Sequence, residues 1–346
     1  MTTTTTRKIA VKKVAPRVAA KPVAKRVAKK IAPSTKAVAR VRKPAVVTNH
    51  PLAHLIKPKS WDERYIRREF EGMADTALMW YARKTHENMM LFGPTGPGKT
   101  SGVYAYSAER GIPVATIACH GGVDPNTVFG RHVLVNGNSK YIESSVTQIM
   151  RHGGIILLDE INFWPSKVAG VLYPAIDGRR ECIIEEGEEN IYFKLHEDCQ
   201  FIATYNPGYE GTRPLNKALN NKFSCKFEYP YDRAIESKLI VEMPTLLEIA
   251  DKLRAKFDSG DLETPCATNM LQEFQEHAYH LGVPLAELMF VNAFMDYERS
   301  SVKDAIEHLR DKLKLERDIA AGIIEPEEPE ENEENEYEEE DEDEDA

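Results

Sequence analysis

An α/β body built on a parallel sheet, followed by a small all-α region and bracketed by two tails of opposite charge, is what three observations in the sequence predict. The first is length. The 346 residues exceed the roughly 150 of an average domain and leave room for a large core. The second is a series of short apolar runs at 89–92, 114–118, 155–158 and 201–204, separated by stretches of helical periodicity. Strands buried on both faces of a sheet read as unbroken apolar runs, and their alternation with helices favours parallel strands joined by crossovers. The third is a change of pattern: from Arg233 to Ala320 such runs vanish, and amphipathic segments such as 245–256 and 269–281 take over. The expected organisation is an arm over 1–50, an α/β domain over 51–231, a helical domain over 232–320 and a tail over 321–346.

The tails account for much of the charge pattern. The net charge of -10 averages over a segment 1–50 with 14 basic and no acidic side chains and a segment 325–346 with 16 acidic and no basic ones. The arm repeats Val-Ala or Ile-Ala dyads among Lys, Arg and Pro, and Pro16, Pro22, Pro33 and Pro44 prevent a long helix. It reads as a solvated disordered arm, as an electrostatic anchor for nucleic acid through residues 1–47, or as a transit peptide. The acidic end has almost nothing apolar to bury and reads as disordered, serving solubility or pairing with the arm. No apolar stretch approaches the roughly 18 residues of a membrane span. The five cysteines, Cys119, Cys182, Cys199, Cys225 and Cys266, show no C-x-x-C spacing, which argues against a zinc site and a disulfide framework. With no secretory h-region in sight, the expected location is cytoplasmic.

The sharpest motif runs Gly93-Pro94-Thr95-Gly96-Pro97-Gly98-Lys99-Thr100, with Ser101 next, directly after an apolar run. A loop this rich in glycine lets successive backbone amides converge on an anion, and a helix beginning near Lys99 adds its positive dipole end. The pattern is a phosphate-binding loop: Lys99 would reach the β and γ phosphates of ATP, and Thr100 would offer its hydroxyl to Mg2+. The run 155–158 ends in Asp159-Glu160. Asp159 is the candidate for the metal's water shell, and Glu160 for polarising the attacking water. The run 201–205 ends at Asn206-Pro207-Gly208; Asn206, both donor and acceptor, would bridge that water and the γ phosphate.

The ordered series LFGPTGPGKT, GGIILLDEIN, YPAIDGRREC, FIATYNPGYEG, LNKALNNKF and EYPYDRAIESKLI resembles the AAA+ ATPases of the MoxR class. The CbbQ and NorQ branch is nearest, with the cobaltochelatase ATPase subunit close by, and the likeness covers about residues 55–310. It implies a P-loop NTPase sheet with a helical lid, assembled as a homo-oligomeric ring, usually a hexamer. Such rings are chaperone-like motors that remodel or activate a protein partner, often one with a von Willebrand factor A domain. By the same resemblance, residues 123–141 correspond to an insert that points to the ring pore and 185–194 to a hairpin before the sensor strand; a plain surface loop is the other reading of each.

Two positions depart from the family pattern. At the end of a helix expected over 215–221, where members place an arginine finger before Phe, this chain has Lys222-Phe223; a lysine is a point cation without the planar fork. Arg179, Arg180 and Arg213 are the substitutes. Within Pro265-Cys266-Ala267-Thr268-Asn269-Met270, Asn269 stands in for the second-sensor arginine or simply caps a helix, the cap being favoured. His277 and His280 lack a third ligand and read as structural. Trp61, Tyr65 and Phe70 have spacing suited to one helix packed on the body. The leading reading is therefore an ATP-hydrolysing ring motor. A nucleic-acid-associated factor and a nucleotide-binding assembly subunit with little hydrolysis are its competitors.

Overall fold

The computed structural model describes residues 50–123, 128–164, 166–186, 189–207, 215 and 217–325. The basic arm up to residue 49, the acidic tail from 326, Gly208 and Arg213 lie outside these residues.

The predicted runs become strands. In chain order the body contains α1 (Ser60–Arg64), the short pair β1 (Glu69–Phe70) and β2 (Met73–Ala74), α2 (Asp75–Lys84), β3 (Met89–Phe92), α3 (Lys99–Arg110) and β4 (Val114–Ala118). A hairpin of β5 (Gly130–Val135) and β6 (Asn138–Glu143) follows, then α4 (Ser145–His152), β7 (Gly154–Asp159) and α5 (Ser166–Ile176). A second hairpin, β8 (Glu181–Glu186) with β9 (Glu189–Lys194), precedes β10 (Cys199–Tyr205), α6 (Lys217–Asn220) and β11 (Cys225–Glu228). The central sheet has the order β11-β3-β10-β7-β4, and every pairing in it is parallel.

Both faces are covered over β3, β7 and β10, which is why those strands lack alternation, whereas the edge strands β4 and β11 keep exposed positions. Met90, Ile156, Leu158, Phe201 and Ala203 turn to one buried cluster. Met89, Leu91, Ile155, Leu157 and Ile202 turn to the other. Each large apolar side chain so buried stabilises the fold by roughly 1.5–3 kcal/mol before chain entropy is charged against it. Ser144 starts α4 by accepting the amides of Val146 and Thr147 through its hydroxyl, which meets the unpaired donors of the first turn.

After β11 the chain is helical: α7 (Arg233–Leu239), α8 (Thr245–Asp258), α9 (Thr268–Leu281), α10 (Val283–Asn292), α11 (Arg299–Glu307) and α12 (Arg310–Ala320). Leu246, Ile249, Ala250 and Leu253 of α8 recur at helical spacing and face a separate core with Phe274, Phe290, Val302 and Leu313. Phe274 and Phe290 meet edge to face, their centroids 5.5 Å apart. No helix among the described residues is long and apolar enough to cross a membrane.

Three local expectations change. The single helix carrying Trp61, Tyr65 and Phe70 ends at Arg64, and the chain turns extended at Tyr65. Trp61 stays partly exposed against Tyr104, while Phe70 sits on β1 against Phe227. The segment 215–221 shortens to one turn, Lys217–Asn220. Asn269 is not a cap: α9 begins at Thr268, with Ala267 in the capping position and no side-chain cap bond. A buried hydroxyl contact of Thr268 with Glu236, at 2.6 Å, organises that helix start instead.

Candidate functional site

The glycine-rich loop spans the gap between β3 and α3 at the carboxyl end of the sheet. Gly93 has φ 136° and Gly96 has φ 92°, values that side chains rarely tolerate. Space is equally restrictive, since a Cβ on Gly93 would lie 2.5 Å from the Tyr229 carbonyl oxygen and one on Gly96 2.7 Å from Ala267 Cβ. Lys99 opens α3 and is buried. Its Nζ donates to the carbonyls of Gly93, at 3.0 Å, and Pro94. Burial pushes the ammonium down to about 8, with Asp159 and Glu160 opposing that shift and Arg68 adding to it.

Strand order brings the other groups to this loop. Because β10 lies between β3 and β7, residues at its end stand between the loop and the carboxylates. The Thr100 hydroxyl donates to Asp159 Oδ1 at 2.8 Å, and the Thr204 hydroxyl donates to the same oxygen at 2.6 Å. Thr204 also accepts the Glu160 amide at 2.8 Å. Asn206 Nδ2 donates to Glu160 Oε1 at 3.2 Å, whereas its Oδ1 is buried without a hydrogen-bond partner among the described residues. Glu160 itself adopts φ 57°, a left-handed conformation that costs a non-glycine residue about 1–3 kcal/mol and that Glu71, His86, Asn136 and Arg180 share. Lys99, Thr100, Asp159, Glu160, Asn206 and Asn269 thus face one cavity of 250 Å³.

A second cavity of 360 Å³ adjoins it, bounded by Trp61 and Tyr65, by the loop at Gly96, and by Ile235, Leu239 and Gln272 of the helical region. Behind this cavity lies a buried polar group absent from the sequence reading. The hydroxyls of Tyr65 and Tyr229 donate to Asp75 Oδ2 at 2.5 and 3.0 Å. Arg68 donates to the Pro97 carbonyl at 2.9 Å and faces the Tyr229 ring at 5.0 Å. Burial raises the Asp75 carboxyl above the usual carboxylate range and both phenols well above theirs. Arg68 was detectable only as one charge in a charged stretch, with no local pattern to mark it.

Lys222 is not brought to this cavity. It follows α6 and precedes β11, and its carbonyl accepts Asn88 Nδ2 at 3.1 Å, at the amino end of the sheet. Its ammonium lies 3.6 Å from Asp177 Oδ2. Arg179 donates to the same carboxylate at 2.9 Å, and its hydrogen bonds hold the Asp177 carboxyl down at about 2. Arg180 Nη2 is spent on the carbonyls of His196, Glu197 and Cys199. Neither His277 nor His280 belongs to a cluster of three metal-ligating residues among the described residues.

A loop of backbone amides after a central strand, a neighbouring strand ending in two carboxylates and a third ending in asparagine define a P-loop nucleotide-binding fold. The model of the AAA domain (dynein-related subfamily) matches residues 88–223. NorQ of Paracoccus denitrificans is 30% identical over 193 residues, covering 53% of this chain and 70% of that protein. The denitrification regulatory protein NirQ of Stutzerimonas stutzeri is 28% identical over 191 residues, or 53% and 69% of the two chains. An uncharacterized Staphylococcus haemolyticus protein is 32% identical over 254 residues, 72% of this chain and 93% of that one. The chain belongs to the MoxR-class AAA+ ATPases.

Proposed function

We propose that this chain binds ATP with Mg2+, hydrolyses it, and uses the cycle as part of a homo-oligomeric ring that activates a protein partner. The observation that carries the reading is the continuous hydrogen-bonded chain Thr100, Asp159, Thr204, Glu160, Asn206 facing the buried Lys99. The donor set fits the cation: Thr100 Oγ1 and an Asp159 oxygen are hard oxygen ligands 2.8 Å apart, suited to an ion that keeps several of its waters. Thr100 and Asp159 would hold it, and its charge would offset that of the phosphoryl oxygens.

The remaining work falls to the chain. The N–H groups of the non-proline residues from Thr95 to Thr100 cradle the phosphates, Pro94 and Pro97 having none to give. Lys99 exchanges the Gly93 and Pro94 carbonyls for phosphate oxygens, a gain because an ammonium pairs more strongly with an anion than with neutral carbonyls. Glu160 takes the proton of the attacking water, and the unpaired Asn206 Oδ1 accepts its other hydrogen, so the water is aligned for in-line attack. Asn206 Nδ2, 3.2 Å from Glu160 Oε1, orients that carboxylate. The adjoining cavity of 360 Å³ beside Tyr65 and Ile235 receives adenine and ribose. Support for an activating role comes from the relative named as a denitrification regulatory protein.

The test is a pair of substitutions. Lys99→Ala should lose nucleotide binding by calorimetry. Glu160→Gln should bind ATP yet release phosphate about 10²–10⁴-fold more slowly, the usual worth of a general base. Equal phosphate release by Glu160→Gln and wild type would remove Glu160 from this role. Affinity capture with that variant in ATP should retain the partner.

A further inference from the structure

The helical region is tied to the phosphate loop by a circuit of side chains that the proposed catalysis does not use. At its centre, on α8, is Arg254. Its side chain is 13% exposed and that of its partner Glu236 3%. Nη1 and Nη2 donate to the two Glu236 oxygens at 2.8 and 2.7 Å, and Nε donates to the Cys266 carbonyl at 3.0 Å. The guanidinium also lies 3.7 Å from the centroid of the Tyr231 ring. Each partner leads back to the loop. The Tyr231 hydroxyl donates to the Thr95 carbonyl at 2.9 Å. Glu236 accepts the Thr268 hydroxyl at 2.6 Å, and the next residue, Asn269, brings its Oδ1 to 2.8 Å from where Gly96 would carry a Cβ.

A buried ion pair is a poor source of stability, because desolvating two charges offsets most of their attraction and an apolar pair of similar volume serves as well. Its distinctive property is direction. A bidentate, stacked guanidinium has one orientation, so it fixes the elements that meet on it. Here those elements are the connection from sheet to helices at Tyr231, the α7 carboxylate of Glu236 and the segment before α9 at Cys266. Asn269 is uncharged and has no long-range attraction for phosphate. Its placement over Gly96 must come from its neighbours.

We propose that the Arg254–Glu236 pair is a positioning unit that holds Thr268 and Asn269 against the phosphate loop and so sets how tightly the helical region closes on bound nucleotide. This rests on the nucleotide-binding reading above and assigns the regulation of that same site to residues of the helical region.

Arg254→Lys keeps the charge and removes the fork; Thr268→Val keeps the shape and removes the donor to Glu236; Thr268→Ser keeps the donor. The full chain is titrated with a fluorescent ADP analogue, ATP turnover is measured, and unfolding midpoints are recorded. Expected are about tenfold weaker ADP binding for Arg254→Lys and about fivefold for Thr268→Val, the loss of one charge-assisted contact in each case. Thr268→Ser should recover most of the affinity. KM for ATP should rise in proportion, with kcat falling less, a split that loss of stability alone does not produce. Lowered midpoints with wild-type ADP affinity and KM in both Arg254→Lys and Thr268→Val overturn the positioning unit and leave the nucleotide reading standing. Absence of ADP binding by the wild-type chain overturns that reading and the positioning unit with it.

Discussion

Both ends of the central sheet carry charged residues, and they treat them in opposite ways. At the carboxyl end Lys99 is buried and its ammonium depressed to about 8, and Asn206 Oδ1 has no partner among the described residues. At the amino end Asp177 is held near 2 by direct bonds from Arg179, with Lys222 beside it, and Arg180 is spent on three carbonyls. One end is desolvated and incompletely satisfied, the other partly exposed and paired. Groups kept out of water without full compensation respond strongly to a ligand, whereas solvated pairs have little to gain. The contrast supports the proposed placing of nucleotide at the carboxyl end, whereas the amino end, where Asp177, Arg180 and Lys222 line a cavity of 270 Å³ of their own, offers groups already paired.

The largest effect that would break this contrast is steric. Gly93→Ala adds a Cβ 2.5 Å from the Tyr229 carbonyl at φ 136°, so a loss of about 2–4 kcal/mol is expected, from backbone strain and forced displacement together. Denaturant midpoints measure it; an unchanged midpoint would mean that the loop is not wedged between sheet and Tyr229.

A smaller effect is proton linkage at Lys99. Its folded value of about 8 lies below the ordinary 10.5, so unfolding takes up a proton between these values, and the ligand-free protein gains stability as pH rises through that window. Nucleotide binding works in the other direction. Phosphate favours the charged ammonium, so ATP affinity should be flat below about pH 7.5 and fall by up to about tenfold per unit above pH 8. Calorimetry in buffers of different ionisation enthalpy should register proton uptake there; none would show that Lys99 stays charged in the free protein.

The smallest expected effect lies at the other end. Lys222→Ala removes one side of a solvent-screened pair and should leave the unfolding midpoint of the isolated chain near that of wild type. ATP turnover by the assembled ring is the sharper measurement, and an unchanged rate there would remove Lys222 as a cation acting across subunits.

What the sequence determined by itself is what contiguous residues dictate. Residues 93–100 form a tight loop because glycine spacing acts on the local backbone, and the runs at 89–92, 155–158 and 201–204 form strands buried on both faces because they are almost wholly apolar, while 114–118 becomes an edge strand with Thr116 exposed. The catalytic candidates Lys99, Asp159, Glu160 and Asn206 were legible because each ends or follows such a run. The β5–β6 pairing, the edge strand β11 and the early stop of α1 were not, since pairing and packing override weak local preference there, and the β8–β9 hairpin was legible only through the family resemblance. Tertiary structure alone decided that β10 lies between the loop and the carboxylates, that Tyr229 reaches Asp75 across 154 positions, that Arg68 braces Pro97, and that Arg254 ties the helices to Thr95 and Gly96. A buried charge or hydroxyl is stable only beside a partner, and which partner it meets is a matter of where the chain returns in space, which no run of neighbouring residues encodes.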